Sequence, residues 1–310
     1  MFSPSAKIDI AAGWPRFTLG TVQFGYAYGL ARTRVGESDV GETLARAWDY
    51  GVDTLDTAPA YGASERIIGA ERPAHAAFAM VTKTVALRVA KITQSDVDRV
   101  VDRARQSAAD LRVNRLEAIL VHESEDLLSA GSDLLIAGLR RLRAEGLVGR
   151  IGVSVYDPHI LDTILERHDI DVVQLPLNVL DQRFARSGHI ERLAGRGIEV
   201  HSRSVFLQGL LLQELDSVPP QFASASNVLA RFRTYAASLD MSPLEAAILF
   251  AGSVKGVSRL VVGIDSVASL ATDLKAMAKA SVRRRPADFS SFAIDDPVII
   301  DPRRWKAKNQ

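Results

Sequence analysis

Cysteine is missing from the 310 residues, which excludes disulfides, thiolate metal sites and a cysteine nucleophile. Long apolar runs are missing too. The most apolar stretch, Leu244 to Phe250, is short and follows a Ser242-Pro243 helix start. Nothing approaches the roughly 20 apolar residues that span a bilayer. Met1 to Gly13 mixes Lys7 and Asp9 with apolar residues and shows no secretory signal. Charge is balanced: 38 Lys and Arg against 37 Asp and Glu leave a formal net charge of +1, no invitation to nucleic acid or an anionic membrane. No Gly-x-Gly-x-x-Gly follows the first strand-like run, so the open dinucleotide fold lacks its phosphate turn. No Pro/Ser-rich linker divides the middle of the chain. The expectation is a cytoplasmic chain with one domain.

What is present is enough for a full core: 47% hydrophobic and 24% charged residues. Two textures alternate. Short β-branched runs occur at Phe17-Thr18-Leu19, Thr54-Leu55, Ala79-Met80-Val81-Thr82, Ala118-Ile119-Leu120-Val121, Ile151-Gly152-Val153-Ser154, Val172-Val173-Gln174-Leu175, Glu199-Val200-His201-Ser202 and Leu260-Val261-Val262. Such continuous runs suit parallel strands covered on both faces. Between them lie helical stripes: Val40, Leu44, Ala47 and Trp48; Val97, Val101, Ala104, Ala108 and Leu111 after a Ser95–Asp98 capping pair; Leu134, Leu135, Leu139 and Leu142; Ile160, Leu161, Ile164 and Leu165 after Asp157-Pro158; Ile190, Leu193 and Ala194; Leu270, Leu274 and Met277. Eight such alternations predict a single-domain α/β (β/α)8 TIM barrel over residues 1–282. The remainder, 283–310, contains Arg283-Arg284-Arg285-Pro286 and Asp301-Pro302-Arg303-Arg304-Trp305. It reads as an irregular C-terminal strap, packed on the barrel through Phe289, Phe292, Ile299, Ile300 and Trp305.

The chemistry-bearing residues fall at strand exits. Asp56 closes Val52-Asp53-Thr54-Leu55, Tyr61 follows it, Lys83 closes the third run and His122 the fourth. A carboxylate, a phenol, an amine and an imidazole at successive parallel exits face one pocket, and together they can move a proton onto a carbonyl oxygen.

Asp56-Thr57-Ala58-Pro59-Ala60-Tyr61-Gly62, with Glu65, Gly69, Lys83 and His122, and with Leu19-Gly20-Thr21 and Val262-Gly263 at the ends, resembles the aldo-keto reductase family across residues 17 to 280. The resemblance implies a nicotinamide cofactor at the C-terminal mouth of the barrel and reversible hydride transfer to an aldehyde or ketone. In that scheme Tyr61 is the proton donor, Lys83 lowers its pKa, Asp56 anchors Lys83, and His122 orients the carbonyl oxygen. It also implies a carboxamide grip by Ser154 and Gln174, with Val155 where relatives carry asparagine. Arg203 stands where many relatives stack a tyrosine on the nicotinamide. A guanidinium there can stack or reach a phosphate, and a tilted or phosphate-directed pose is expected because an oxidised nicotinamide is cationic.

The remaining cofactor candidates are Gly20, Thr21, Ser204, Phe206, Gln208, Gly209, Gly263, Asp265, Ser266, Ser269 and Asp273. NADPH-preferring relatives place Arg or Lys after the last strand. Gly263-Ile264-Asp265-Ser266 has none, so either NADPH or NADH is expected, with the usual NADPH preference weakened or reversed. Phe24, with Tyr61 and His122, is expected to wall the substrate site, and Tyr26 and Tyr28 follow in the same loop. A sugar or small aldehyde is the expected substrate, acted on by a monomer or small homo-oligomer. Two other readings stay open: a regulatory or redox-sensing subunit that binds cofactor with little turnover, and a Schiff-base aldolase using Lys83. No metal is expected, since His122 and Glu123 are adjacent and point to opposite faces of a strand.

Overall fold

The structure is a computed structural model that describes residues 7–283 and 287–305. Arg284, Arg285 and Pro286 of the tail lie outside the described residues, as do the first six residues and the last five. Eight parallel strands close on themselves in chain order: β1 (Arg16–Gly20), β2 (Thr54–Asp56), β3 (Ala79–Lys83), β4 (Leu116–Val121), β5 (Val148–Ser154), β6 (Val172–Pro176), β7 (Glu199–Arg203) and β8 (Arg259–Gly263). Closure comes from β1 pairing with β8 through Arg16–Arg259 to Gly20–Gly263. Every strand-like run of the sequence lies in one of these strands, and helices follow between them, as a (β/α)8 barrel requires.

The strand period places the site. Val81, Ala118, Leu120 and Val172 form a small cluster of their own, separate from the large core between barrel and helices. Two residues further along the same faces stand Lys83, His122 and Gln174. The polar side chains therefore sit one layer above a dry plug. Gly152 completes that plug, because a Cβ there would lie 2.4 Å from both the Leu120 side chain and the Val172 carbonyl oxygen.

Three local expectations are corrected. The capping box before the helix Gln94–Asp110 is made by Thr93 and Asp96, not Ser95 and Asp98: the Thr93 side chain accepts from the Asp96 amide and the Asp96 carboxylate accepts from the Thr93 amide. Leu134 is 43% exposed and does not belong to the inward stripe, which Leu135, Leu139 and Leu142 form. The helix Ser226–Ser238, absent from the sequence reading, buries Val228, Leu229, Phe232 and Ala236. The strap packs against it. Phe289 and Phe292 meet Tyr235, Phe292 meets Phe232, and Trp305 stacks edge-on to Phe222 at 4.6 Å. Short helical turns at Ser290–Phe292, Pro297–Ile300 and Pro302–Arg304 interrupt an otherwise irregular path.

The opposite, N-terminal opening of the barrel is closed by charge. Arg259 Nε donates to Glu199 Oε1 at 2.8 Å and its Nη1 to Thr54 Oγ1 at 2.9 Å. Arg150 bridges Glu117 and Glu199, Arg16 pairs with Asp53, and His201 Nε2 lies 2.9 Å from Glu199 Oε1. Burial alone would raise the Glu199 pKa, but hydrogen bonds from His201 and Arg150 outweigh it and hold the carboxyl well below the usual carboxylate range. A depressed folded pKa contributes stability above the unfolded value and loses it as pH falls through and below that value. Glu199→Gln leaves two arginines short of a partner. It is expected to cost about 2–3 kcal/mol at pH 7, and the gap to wild type should narrow between pH 5 and pH 3 in thermal melts. A gap that stays constant with pH would show that packing, not charge, sets the loss.

Candidate active site

Asp56 ends β2 and Lys83 ends β3, and the register Asp56–Val81 brings the two exits side by side. Lys83 Nζ donates to Asp56 Oδ1 at 2.6 Å and to the Thr57 carbonyl at 2.9 Å. Both side chains are all but inaccessible, at 1% and 3%. Gln174 Nε2, from β6 across the lumen, donates to the other carboxylate oxygen at 2.7 Å. The Asp56 carboxylate is thus held by a cation and an amide, and the lysine is aimed rather than free. Its ammonium has two oxygen acceptors, an arrangement that favours a charged anchor over a Schiff-base nucleophile.

Tyr61 sits on the turn after β2, which the Tyr61 amide closes by donating to the Ala58 carbonyl. Lys83 Nζ lies 5.0 Å from the Tyr61 ring centroid, and the Tyr61 and His122 rings meet edge-on at 6.2 Å. The turn is locked to the loop after β1. A Cβ on Gly25 would come within 1.6 Å of the Tyr61 carbonyl oxygen, so only glycine allows this approach. Ser64 Oγ donates to the Thr21 carbonyl at 3.0 Å, and Thr21 Oγ1 to the Asp56 carbonyl at 2.9 Å.

The electrostatics correct one expectation. Lysine was expected to lower the tyrosine pKa. Burial instead pushes the phenol well above its ordinary value, Asp56 adds to the rise, and Arg203 opposes it. The phenol is therefore fully protonated at neutral pH, the state a donor needs. Burial pulls Lys83 below its usual value while Asp56 resists. His122 is lowered to about 3 by burial, with Lys83 and Arg203 adding to the fall. Its imidazole is neutral at neutral pH and can donate a hydrogen bond without carrying charge.

These groups line a cavity of about 530 Å³, within the range of cofactor and small-molecule sites. Of the residues expected from sequence, Gly20, Thr21, Ser154, Gln174, Arg203, Ser204, Phe206, Gln208, Gly209, Gly263, Asp265, Ser269 and Asp273 line it with Asp56, Tyr61, Lys83 and His122. Two do not. Phe24 is fully buried in the hydrophobic core, because the short helical turn Val22–Gly25 points it inward; Tyr26 and Tyr28 wall the cavity instead. Ser266 caps the helix Val267–Ser281 by accepting from the Ser269 amide at 3.1 Å. Tyr156, two residues past Ser154, lines the cavity and was missed; its only signal was the place after a strand exit. Arg203 does not point towards β8. Its Nη2 donates to the Val155 carbonyl at 3.2 Å and its guanidinium lies 3.9 Å over the Tyr156 ring.

A dinucleotide fits this donor set. The N-terminus of the helix Val267–Ser281 faces the cavity through Ser269, where backbone amides favour an anion. Gly209, with φ +91°, has open space where a side chain would stand. Among the described residues, no group of three or more His, Cys, Asp or Glu is placed to share a metal ion.

Asp273 is 3% exposed and burial, with Asp265 nearby, raises its pKa to about 8. A carboxyl raised above its unfolded value destabilises the fold as pH climbs from about 4 through 8. Asp273→Asn removes that loss. The ligand-free variant should melt at least about 3 °C higher than wild type at pH 9 and at the same temperature at pH 3.5; equal melting at both pH values would show the carboxylate to be well solvated.

The family model described as the Aldo/keto reductase family matches residues 16–284. No match is found among curated proteins. Solved structures share the fold. AKR11C1 from Bacillus halodurans, in its holo form, superposes with a TM-score of 0.69 at 16% identity, over 94% of this chain and 95% of its own. The glycerol dehydrogenase AKR11B4 from Gluconobacter oxydans gives 0.64 at 20% identity, over 93% and 98%. PA4992 from Pseudomonas aeruginosa, assigned to the aldo-keto reductases, gives 0.62 at 24% identity, over 85% and 90%. These identities speak for the fold alone, whereas the family match spans most of the chain and includes every residue of the Asp56–Lys83 centre: the chain belongs to the aldo/keto reductase family.

Proposed function

We propose that the protein reduces an aldehyde or ketone with a nicotinamide dinucleotide, reversibly, with Tyr61 as the proton donor. The observation that carries this reading is the buried Lys83–Asp56 pair set beside the Tyr61 phenol and the His122 imidazole on the wall of one cavity. The cofactor supplies the hydride when bound. The chain's own residues handle the proton. Of the two candidate donors, His122 is neutral with a pKa pushed to about 3, so it orients the carbonyl oxygen and Tyr61 gives up the proton. The phenolate left behind lies near the Lys83 ammonium, 5.0 Å from the ring centroid, whose charge offsets part of what burial costs it. Gln174 and Thr57 keep that ammonium and its carboxylate from drifting. Tyr61→Phe is expected to lower kcat/KM by at least about 10³-fold, since positioned general acids contribute on the order of 10²–10⁴. NADH and NADPH dissociation constants, read by fluorescence, should stay within threefold. Retention of a tenth of the activity would remove Tyr61 from the reaction.

Cofactor choice follows from the far end of the cavity. Among the described lining residues the only cations are Lys83 and Arg203; the turn after β8 presents Asp265 instead, and the buried Asp273 lies in the helix that follows. The Asp265 carboxylate repels a 2′-phosphate and can accept from a 2′-hydroxyl. NADH is therefore used at least comparably with NADPH. The ratio of kcat/KM values tests this: an NADPH preference above about 100-fold, nearly 3 kcal/mol, would end it. Asp265→Arg should move the ratio at least tenfold towards NADPH. A sugar or small aldehyde is the proposed substrate class.

A further inference from the structure

The cavity holds two cations among its described lining residues, and they differ in one respect. Lys83 has a carboxylate partner at 2.6 Å. Arg203 has none. Its polar contacts are the Val155 carbonyl at 3.2 Å and the Ser204 hydroxyl at a weak 3.5 Å, which leaves most of its five N–H donors unspent. Arg203 is nonetheless fixed. Its guanidinium carbon lies 3.9 Å from the Tyr156 ring centroid, and that of Arg303, from the strap, lies 3.8 Å from the same centroid. Two planar groups cannot share one face of a ring, so Tyr156 is held between them. Arg303 is spent, its Nε and Nη2 bonded to the Asp301 carboxylate at 3.0 and 2.9 Å. Arg203 is therefore a pre-oriented, unneutralised fork at the cavity wall, and its charge is felt by Tyr61, Lys83 and His122.

We propose that the carbonyl substrate also carries a carboxylate, and that Arg203 binds it while Tyr61 and His122 meet the carbonyl. This rests on the reading of the site as a carbonyl reductase. A rigid guanidinium matches a carboxylate with two parallel hydrogen bonds. The direction of the side chain argues against the other anion at hand, the cofactor's phosphates. Arg203 starts at the end of β7 and reaches across the β6 exit to Val155 after β5, whereas the anion-binding helix start follows β8, on the other side of β7. The substrate class is a short semialdehyde, an oxo acid or a sugar acid rather than a neutral sugar.

Matched pairs test it: succinic semialdehyde against butanal, and glucuronate against glucose, each with NADH and NADPH. Wild type should favour the carboxylated member at least tenfold in kcat/KM, mainly through KM. Arg203→Met should bring that selectivity ratio close to one, and Arg203→Lys, which keeps the charge but not the fork, should retain part of it. A wild-type ratio near one overturns the inference. So does an Arg203→Met protein whose two members fall equally while NADH binding weakens tenfold, which would assign Arg203 to the cofactor. Calorimetric titration of succinate into NAD⁺-saturated protein separates this idea from the function it rests on. Succinate binding that Arg203→Met abolishes, in a protein that turns over no carbonyl, keeps the anion site and removes the reductase; no succinate binding removes the anion site.

Discussion

A lysine and an aspartate, both hidden from water, are the pair on which the rest of this molecule depends. Removing two charges from solvent costs several kcal/mol per ion unless geometry and extra hydrogen bonds compensate. Here they do: Asp56 takes one bond from Lys83 and another from Gln174, and Lys83 gives a second to Thr57. Those bonds draw on β2, β3, β6 and the turn that carries Tyr61. An open sheet in chain order would set β2 and β6 four strands apart. Only a closed cylinder brings Gln174 across to Asp56, so the chemistry of the mouth requires the topology of the barrel.

The two ends of the cylinder use charge for opposite purposes. At the N-terminal opening, Arg16, Asp53, Glu117, Arg150, Glu199 and Arg259 neutralise one another and close the lumen. At the C-terminal opening charges are left partly unmatched: Arg203 on one wall, Asp265 on another. Between them lies the apolar layer of Val81, Ala118, Leu120 and Val172. The three arginines and three carboxylates of the floor sum to no net charge, so loops at the mouth can change in sign of charge with little effect on the structure that holds them.

The fold was legible because parallel strands buried on both faces leave continuous apolar runs, and all eight runs are strands. The candidate cluster was legible because Asp56, Lys83 and His122 each close such a run and Tyr61 follows in the turn after the second. What failed did so where tertiary contact overrides local pattern. Phe24 looked like a pocket wall by position, but a short helical turn rotates it into the core. Leu134 matched the helical period and is exposed. The Tyr61 phenol was expected to acidify beside a cation; the strand order predicts a nearby cation but not how deeply the phenol is buried. Tyr156 and Arg303 meet across almost half the chain, and no local motif announces a stack between a loop and a distant strap.

The glycine at position 25 ties two loops that are usually free to diverge. Its hydrogen lies against the peptide oxygen of Tyr61, so the loop after β1, which brings Tyr26 and Tyr28 to the cavity, and the turn that carries Tyr61 cannot close on one another. Reshaping that loop inward would therefore shift Tyr61 itself. In this architecture, diversification is free to proceed from Tyr26 outward, but stops one residue short, at the hinge both loops share.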